Sequence, residues 1–113
     1  MSNEPFKIVL NSENEYQSLL QGRPQTRGMR SGRVYLEKGQ ECGLHSTKAH
    51  EEILVFLKGK GSALTGPEQN AIEVGESMVL YIPPHTEHNI KNDSGEPLVY
   101  IYCVAPVNDS DND

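Results

Sequence analysis

From residue 33 onward the apolar positions come in short runs broken by turn-forming residues. The runs are RVYLE, EILVFL, GSALT, AIEV, MVLYI and LVYIYCV, rich in β-branched, aliphatic and tyrosine residues. Gly, Pro, Asn or Asp fills most of the gaps, as in KGKG, TGPEQN, IPPHTEH and KNDSGEP. A strand needs an apolar pleat face and a tight turn needs residues tolerant of unusual backbone angles, so this pattern predicts an all-β sandwich or barrel. No helical period survives in this part of the chain. EILVFL and LVYIYCV are apolar on both faces, where a sandwich strand needs only one. The second face predicts either contact with a second copy, giving a homodimer, or cover from the N-terminal segment.

The first third reads differently. FKIVL alternates weakly and predicts an edge strand over 6–10. SENEYQSLL predicts a short helix over 12–20, with Ser12 as N-cap, Glu15 completing a capping box, and Tyr16, Leu19 and Leu20 at helical spacing. Residues 21–32 hold three glycines and a proline and read as loop. Residues 108–113 form an acidic tail expected to be disordered.

A chain of 113 residues suits one domain, taken as 1–107 with its core at about 33–106. No apolar run approaches the roughly 20 residues that span a bilayer, and the start is polar. The expected location is cytoplasmic, with no membrane partner. A formal net charge of −6 argues against nucleic acid as a partner. The two cysteines, Cys42 and Cys103, are too few for a disulfide scaffold and read as structural thiols. All four arginines, Arg23, Arg27, Arg30 and Arg33, fall in one short stretch. They form either a solvated loop, or a strand start at which Arg30 or Arg33 faces the interior and pairs with an anionic small-molecule ligand. Tyr35 shares a strand face with Arg33, so Arg33 and Tyr35 are the candidate substrate-binding residues.

Four histidines, His45, His50, His85 and His88, fall in two clusters about forty residues apart. Alternate strand residues share a face, which pairs His45 with Thr47 and His50 with Glu52 and turns Glu51 to solvent. A turn between Thr47 and His50 would make these two adjacent antiparallel strands. His45, His50, Glu52 and His88 are the candidate ligands for one divalent transition metal: Fe, Mn, Ni, Zn or Cu. An inward carboxylate without a metal or cation beside it would be costly, which favours a retained site.

These clusters resemble the two motifs of the cupin superfamily. Gly39 is followed after five residues by His45, and Glu52 after six residues by Gly59. The second motif reads Pro83, Pro84, His85, Thr86, Glu87, His88 and, after three more residues, Asn92, with Gly75 opening the block. The resemblance implies a cupin-type jelly-roll β-barrel (a double-stranded β-helix, RmlC-like) with a metal near one mouth, usually dimeric. Two positions depart from the pattern. Thr47 stands where the family has its second histidine, so either His50 replaces it or His45, Glu52 and His88 form a two-His-one-carboxylate set. His85 stands at the turn glycine. The implied function is a metal-dependent enzyme on a small organic molecule, dioxygenase-like or an isomerase or lyase, with Tyr35, His85 and Glu87 as acid–base candidates. The alternatives are a non-catalytic binding module and a barrel with a vestigial site.

Overall fold

The computed structural model describes residues 4–108. Its strands are β1 (Gln17–Gln21), β2 (Arg30–Leu36), β3 (His45–Ser46), β4 (His50–Lys58), β5 (Lys60–Thr65), β6 (Asn70–Gly75), β7 (Val79–Ile82), β8 (Glu87–Lys91) and β9 (Leu98–Pro106). They make a five-stranded sheet ordered β1-β2-β9-β4-β7 and a four-stranded sheet ordered β3-β8-β5-β6. All pairings are antiparallel. The two sheets enclose one core as a double-stranded β-helix. Among the described residues no helix is long and apolar enough to cross a membrane.

Alternation along the strands decides which residues meet inside. On β4, Glu52, Leu54 and Phe56 are buried while Glu51, Ile53 and Leu57 are exposed. Register carries that choice across the larger sheet in rows. Leu36 and Leu98 face each other at the closed end, and Val34, Tyr100 and Phe56 form the next row. Gly32, Tyr102, Leu54 and Leu80 follow, then Arg30, Val104, Glu52 and Ile82, and His50 opposite Pro106 stands beyond them at the open end. Ala63, Val74 and Ile90 close the core from the smaller sheet. The interior is therefore graded, with apolar rows at one end and a row carrying Arg30 and Glu52 at the other.

The expected N-terminal helix over 12–20 is absent. Residues 12–16 carry no regular element, and 17–21 form β1, antiparallel to β2. A helix of about nine residues is marginal in water, and here two tertiary demands oppose it. The edge of β2 takes the backbone of β1. Arg33 takes the carbonyls of Asn11, Glu13 and Glu15, at 2.6, 3.0 and 2.9 Å, which a helix would use internally. The N-cap expected at Ser12 is replaced by a local turn in which Asn11 Oδ1 accepts from the Glu13 N–H at 3.0 Å. Residues 6–10 form no strand and leave Phe6, Val9 and Leu10 exposed. The expected loop 21–32 gives way to β2 from Arg30. The acidic tail expected over 108–113 lies, apart from Asn108, outside the described residues.

Candidate metal centre

The two histidine clusters meet through β3 and β8. His45 stands directly opposite His88 in that ladder, and the rings approach edge to face at 4.1 Å between centroids. Glu52 reaches them from the other sheet, on a strand held on both sides by β9 and β7. One ligand atom from each of His45, Glu52 and His88 lies within 4.8 Å of the others. The sequence suggested that the strands carrying His45 and His50 are antiparallel neighbours, and they are not. β3 belongs to the smaller sheet and β4 to the larger, so the turn at 47–49 carries the chain between layers.

The ring nitrogens are already sorted. His45 Nδ1 lies 2.8 Å from the Gly43 carbonyl and His88 Nδ1 lies 3.2 Å from the Thr86 carbonyl. A carbonyl only accepts, so both Nδ1 atoms carry the proton and both Nε2 atoms present a lone pair in the neutral ring. His88 is 1% exposed and Glu52 6%. His88 Nε2 is 3.2 Å from Glu52 Oε1 but misaligned for a hydrogen bond, and it has no other partner among the described residues. A buried nitrogen without a hydrogen bond, beside a buried carboxylate, is expensive unless a cation fills the gap. Two imidazoles and one carboxylate are a donor set that divalent transition metals accept.

Burial alone pushes the His88 pKa down, but the Glu52 carboxylate and the Thr86 carbonyl outweigh it and the net shift is upward. Without metal, the proton on His88 therefore persists to higher pH than on an ordinary histidine. Metal must displace it, so zinc affinity should still be rising as pH climbs through about 6.5, the ordinary histidine value, and should level off only where His88 has lost its proton, with proton release on binding below that point. Calorimetric zinc titration in buffers of different ionisation enthalpy measures both.

Thr47 is buried and works as a staple. Its hydroxyl donates to the Pro83 carbonyl at 2.7 Å and accepts from the Thr86 N–H at 3.0 Å, and its own N–H donates to the Thr86 carbonyl at 3.1 Å. It thereby ties the first cluster to the loop that delivers His88. Asn92 is also structural, donating to the Leu36 carbonyl at 3.0 Å and the Glu96 carbonyl at 2.7 Å.

The centre opens into a cavity of about 670 Å³. His50, Arg30, Lys48, Tyr102, Leu54 and Ile90 are among the residues that line it. His50 is half-buried on the same strand face as Glu52, one inward position nearer the open end, and stands outside the three-ligand group. The other sequence candidates lie elsewhere. Arg33 and Tyr35 project to the opposite face of β2 from Arg30 and Val34 and do not line the cavity. His85 and Glu87 are exposed and also absent from its wall. His85 occupies a turn at φ 56°, which histidine tolerates better than most side chains. Tyr100 and Tyr102, placed by cross-strand register, and Lys48, placed by the turn between β3 and β4, were not among the sequence candidates. Cys42 is exposed as a residue, yet its sulfur accepts from the Ile90 N–H at 3.3 Å, and burial pushes its pKa up.

Known proteins agree with this architecture. The uncharacterized protein MJ1618 of Methanocaldococcus jannaschii is 34% identical over 68 residues, covering 60% of this chain and 53% of that one. Glucose-6-phosphate isomerase of Pyrococcus abyssi is 38% identical over 60 residues, covering 50% of this chain and 32% of that one. The chain thus spans about half or less of the length of these curated relatives. The structure of an RmlC-like cupin family protein with a double-stranded β-helix fold, also from M. jannaschii, superposes with a TM-score of 0.74 at 17% identity, over 91% of each chain. The cupin domain family model matches residues 32–104, which takes in both histidine clusters, and the chain belongs to the cupin family.

Proposed function

We propose that this cupin is a metal-dependent enzyme acting on a small organic molecule, with one divalent transition metal (Fe, Mn, Ni, Zn or Cu) on His45, Glu52 and His88. The observation that carries the reading is the buried Nε2 of His88, left without a hydrogen bond beside the Glu52 carboxylate at the wall of a substrate-sized cavity. Three protein ligands leave coordination positions for substrate or dioxygen. When bound, the metal supplies Lewis acidity or a redox centre.

The chain's own residues do the rest. Leu54 and Ile90 are almost wholly buried and keep water from the deep end of the cavity. Burial holds the Tyr102 phenol far above its ordinary pKa, with the hydrogen bond to Tyr16 adding to the shift. Burial does the same to Tyr100, with Cys42 contributing. Both tyrosines are therefore hydrogen-bond donors at neutral pH and not bases. His50 is the cavity imidazole that the metal group leaves over, and a ring nitrogen can both accept and give up a proton. It takes the acid–base role here.

The test is to strip the purified chain of metal, reload it with each of the five metals, and measure metal per chain. Oxygen uptake and conversion of glucose 6-phosphate, the substrate named by the isomerase relatives, are then followed. Stoichiometric loading with turnover supports an enzyme. Loading with a ligand that raises thermal stability but returns unchanged supports a binding module. Failure to load any metal sinks the reading.

A homodimer belongs to the same proposal. The outer face of the larger sheet exposes Ile53, Val79 and Tyr81, and the N-terminal segment exposes Phe6, Val9 and Leu10. A two-fold pair lets one chain cover both patches with their copies, which is what an isologous contact requires. Light scattering should report a dimer, and Val79→Lys should reduce it to a monomer. A wild-type monomer at the same concentration refutes this part.

A further inference from the structure

We infer that the cavity takes a small organic carboxylate with an apolar body, its charged end held by Arg30 and Lys48. The inference rests on the proposed metal centre only for where the ligand's other end lies. Its own basis is a reversal of charge. The chain carries a net charge of −6, yet the cavity wall holds Arg30 and Lys48 and a single carboxylate, Glu52, which belongs to the metal group. Among the described residues neither cationic head has a carboxylate partner.

Both residues are exposed at the cavity mouth, and the chain around each is fixed. Arg30 shares an inward row with Val104 and Glu52. Two strand spacings, about 10 Å, separate its backbone from that of Glu52. Its methylene stem packs against Gly22, where an added Cβ would lie 3.2 Å from Arg30 Cγ. Its charge is felt at Tyr102, where it works against the upward push of burial. Lys48 sits at φ 53°, a conformation costly for a residue with a Cβ. Its N–H donates to Ser46 Oγ at 3.0 Å and its carbonyl accepts from the His85 N–H at 2.8 Å, which fixes the turn at the cavity wall. Val104 stands between Arg30 and Glu52 in their shared row, and Leu54 and Ile90 line the cavity one step deeper, which together give an apolar wall for the body of the ligand.

The geometry favours carboxylate over phosphate. A guanidinium fork matches a carboxylate edge, with a lysine adding a point charge. Phosphate sites commonly draw on helix N-termini or nests of backbone N–H groups. The described residues contain no helix.

The experiment titrates the full chain, metal-stripped and zinc-loaded, with phenylacetate and isovalerate, with their neutral amides, and with glucose 6-phosphate. Binding is read by calorimetry and thermal shift. The acids should bind about tenfold or more tightly than the amides, the gap a charge-assisted pair produces. Arg30→Gln should erase most of that preference while zinc uptake and melting of the free protein stay as in wild type. Lys48→Gln should weaken it and serves as the second variant if Arg30→Gln folds poorly. Acids and amides binding equally, no binding by either acid, or a preference untouched in both variants would overturn the inference. Tighter binding of glucose 6-phosphate than of either acid would replace carboxylate by phosphate ester. The acid preference persisting in a chain that takes up no zinc would uphold the anion site and remove only the metal reading.

Discussion

His88→Ala should abolish metal binding. Wild type should carry about one zinc per chain after reloading and the variant close to none. Of the three ligand groups, His88 has the smallest alternative supply of water, being 1% exposed. Losing a residue that merely orients a ligand costs about 10–100-fold in affinity, so losing the ligand itself should cost more. The effect has a stability signature. Zinc at about a thousand times its dissociation constant adds about 4 kcal/mol to a fold that binds it only when native. That increment should appear in wild-type melting and vanish in His88→Ala, measured against each protein's own metal-free form. His50→Ala separates the open alternatives for the ligand set. Because His50 stands outside the three-ligand group, the variant should keep its zinc and its stabilisation while losing turnover. Zinc lost equally from both variants would return His50 to the ligand set.

The sequence made the barrel and much of the metal group legible because both depend on local patterns. Period-two runs bounded by turn formers name strands without tertiary information. His45, Glu52 and His88 sit at motif spacings that survive any detail of packing. What stayed hidden was relational. Nothing local says that β3 pairs with β8 and not with β4, and that pairing sets His45 against His88 while leaving His50 one inward position away. Nothing local chooses which face of RSGRVYL turns inward. Arg30 and Arg33 differ by an odd number of residues, so only one of them can face the cavity, and the buried Leu36 with the partly buried Val34 beside the core decides for Arg30. Gly32 looked like a loop residue. In the structure it is the gap in the inward row that admits Tyr16, since a Cβ there would collide with the Tyr16 hydroxyl. The helix over 12–20 failed for the same reason: its capping signals were sound locally, and a β2 edge with a buried arginine outcompeted them.

That arginine gives the second large effect. Arg33 is 5% exposed and makes four hydrogen bonds, three to the carbonyls of Asn11, Glu13 and Glu15 and one, at 2.8 Å, to Asn11 Oδ1. Arg33→Met keeps the stem and removes the fork. Summing four charge-assisted bonds would overstate the loss, because the acceptors lie in an exposed segment and regain water when released, and because a desolvated charge is relieved. The net cost should be about 2–3 kcal/mol, the size of one or two such bonds. The segment from Asn11 to Tyr16 should then open locally and be cut faster by protease. Its opening also breaks the contact of Tyr16 with Tyr102, whose hydroxyls lie 2.7 Å apart at the edge of the cavity. Urea midpoints and zinc titrations on the same protein separate this role from a ligand-binding one. A lowered midpoint with zinc uptake and carboxylate preference intact fits a clamp that fastens the N-terminal segment to the barrel. An unchanged midpoint with the carboxylate preference lost would contradict the clamp and return Arg33 to the substrate role that its strand position first suggested.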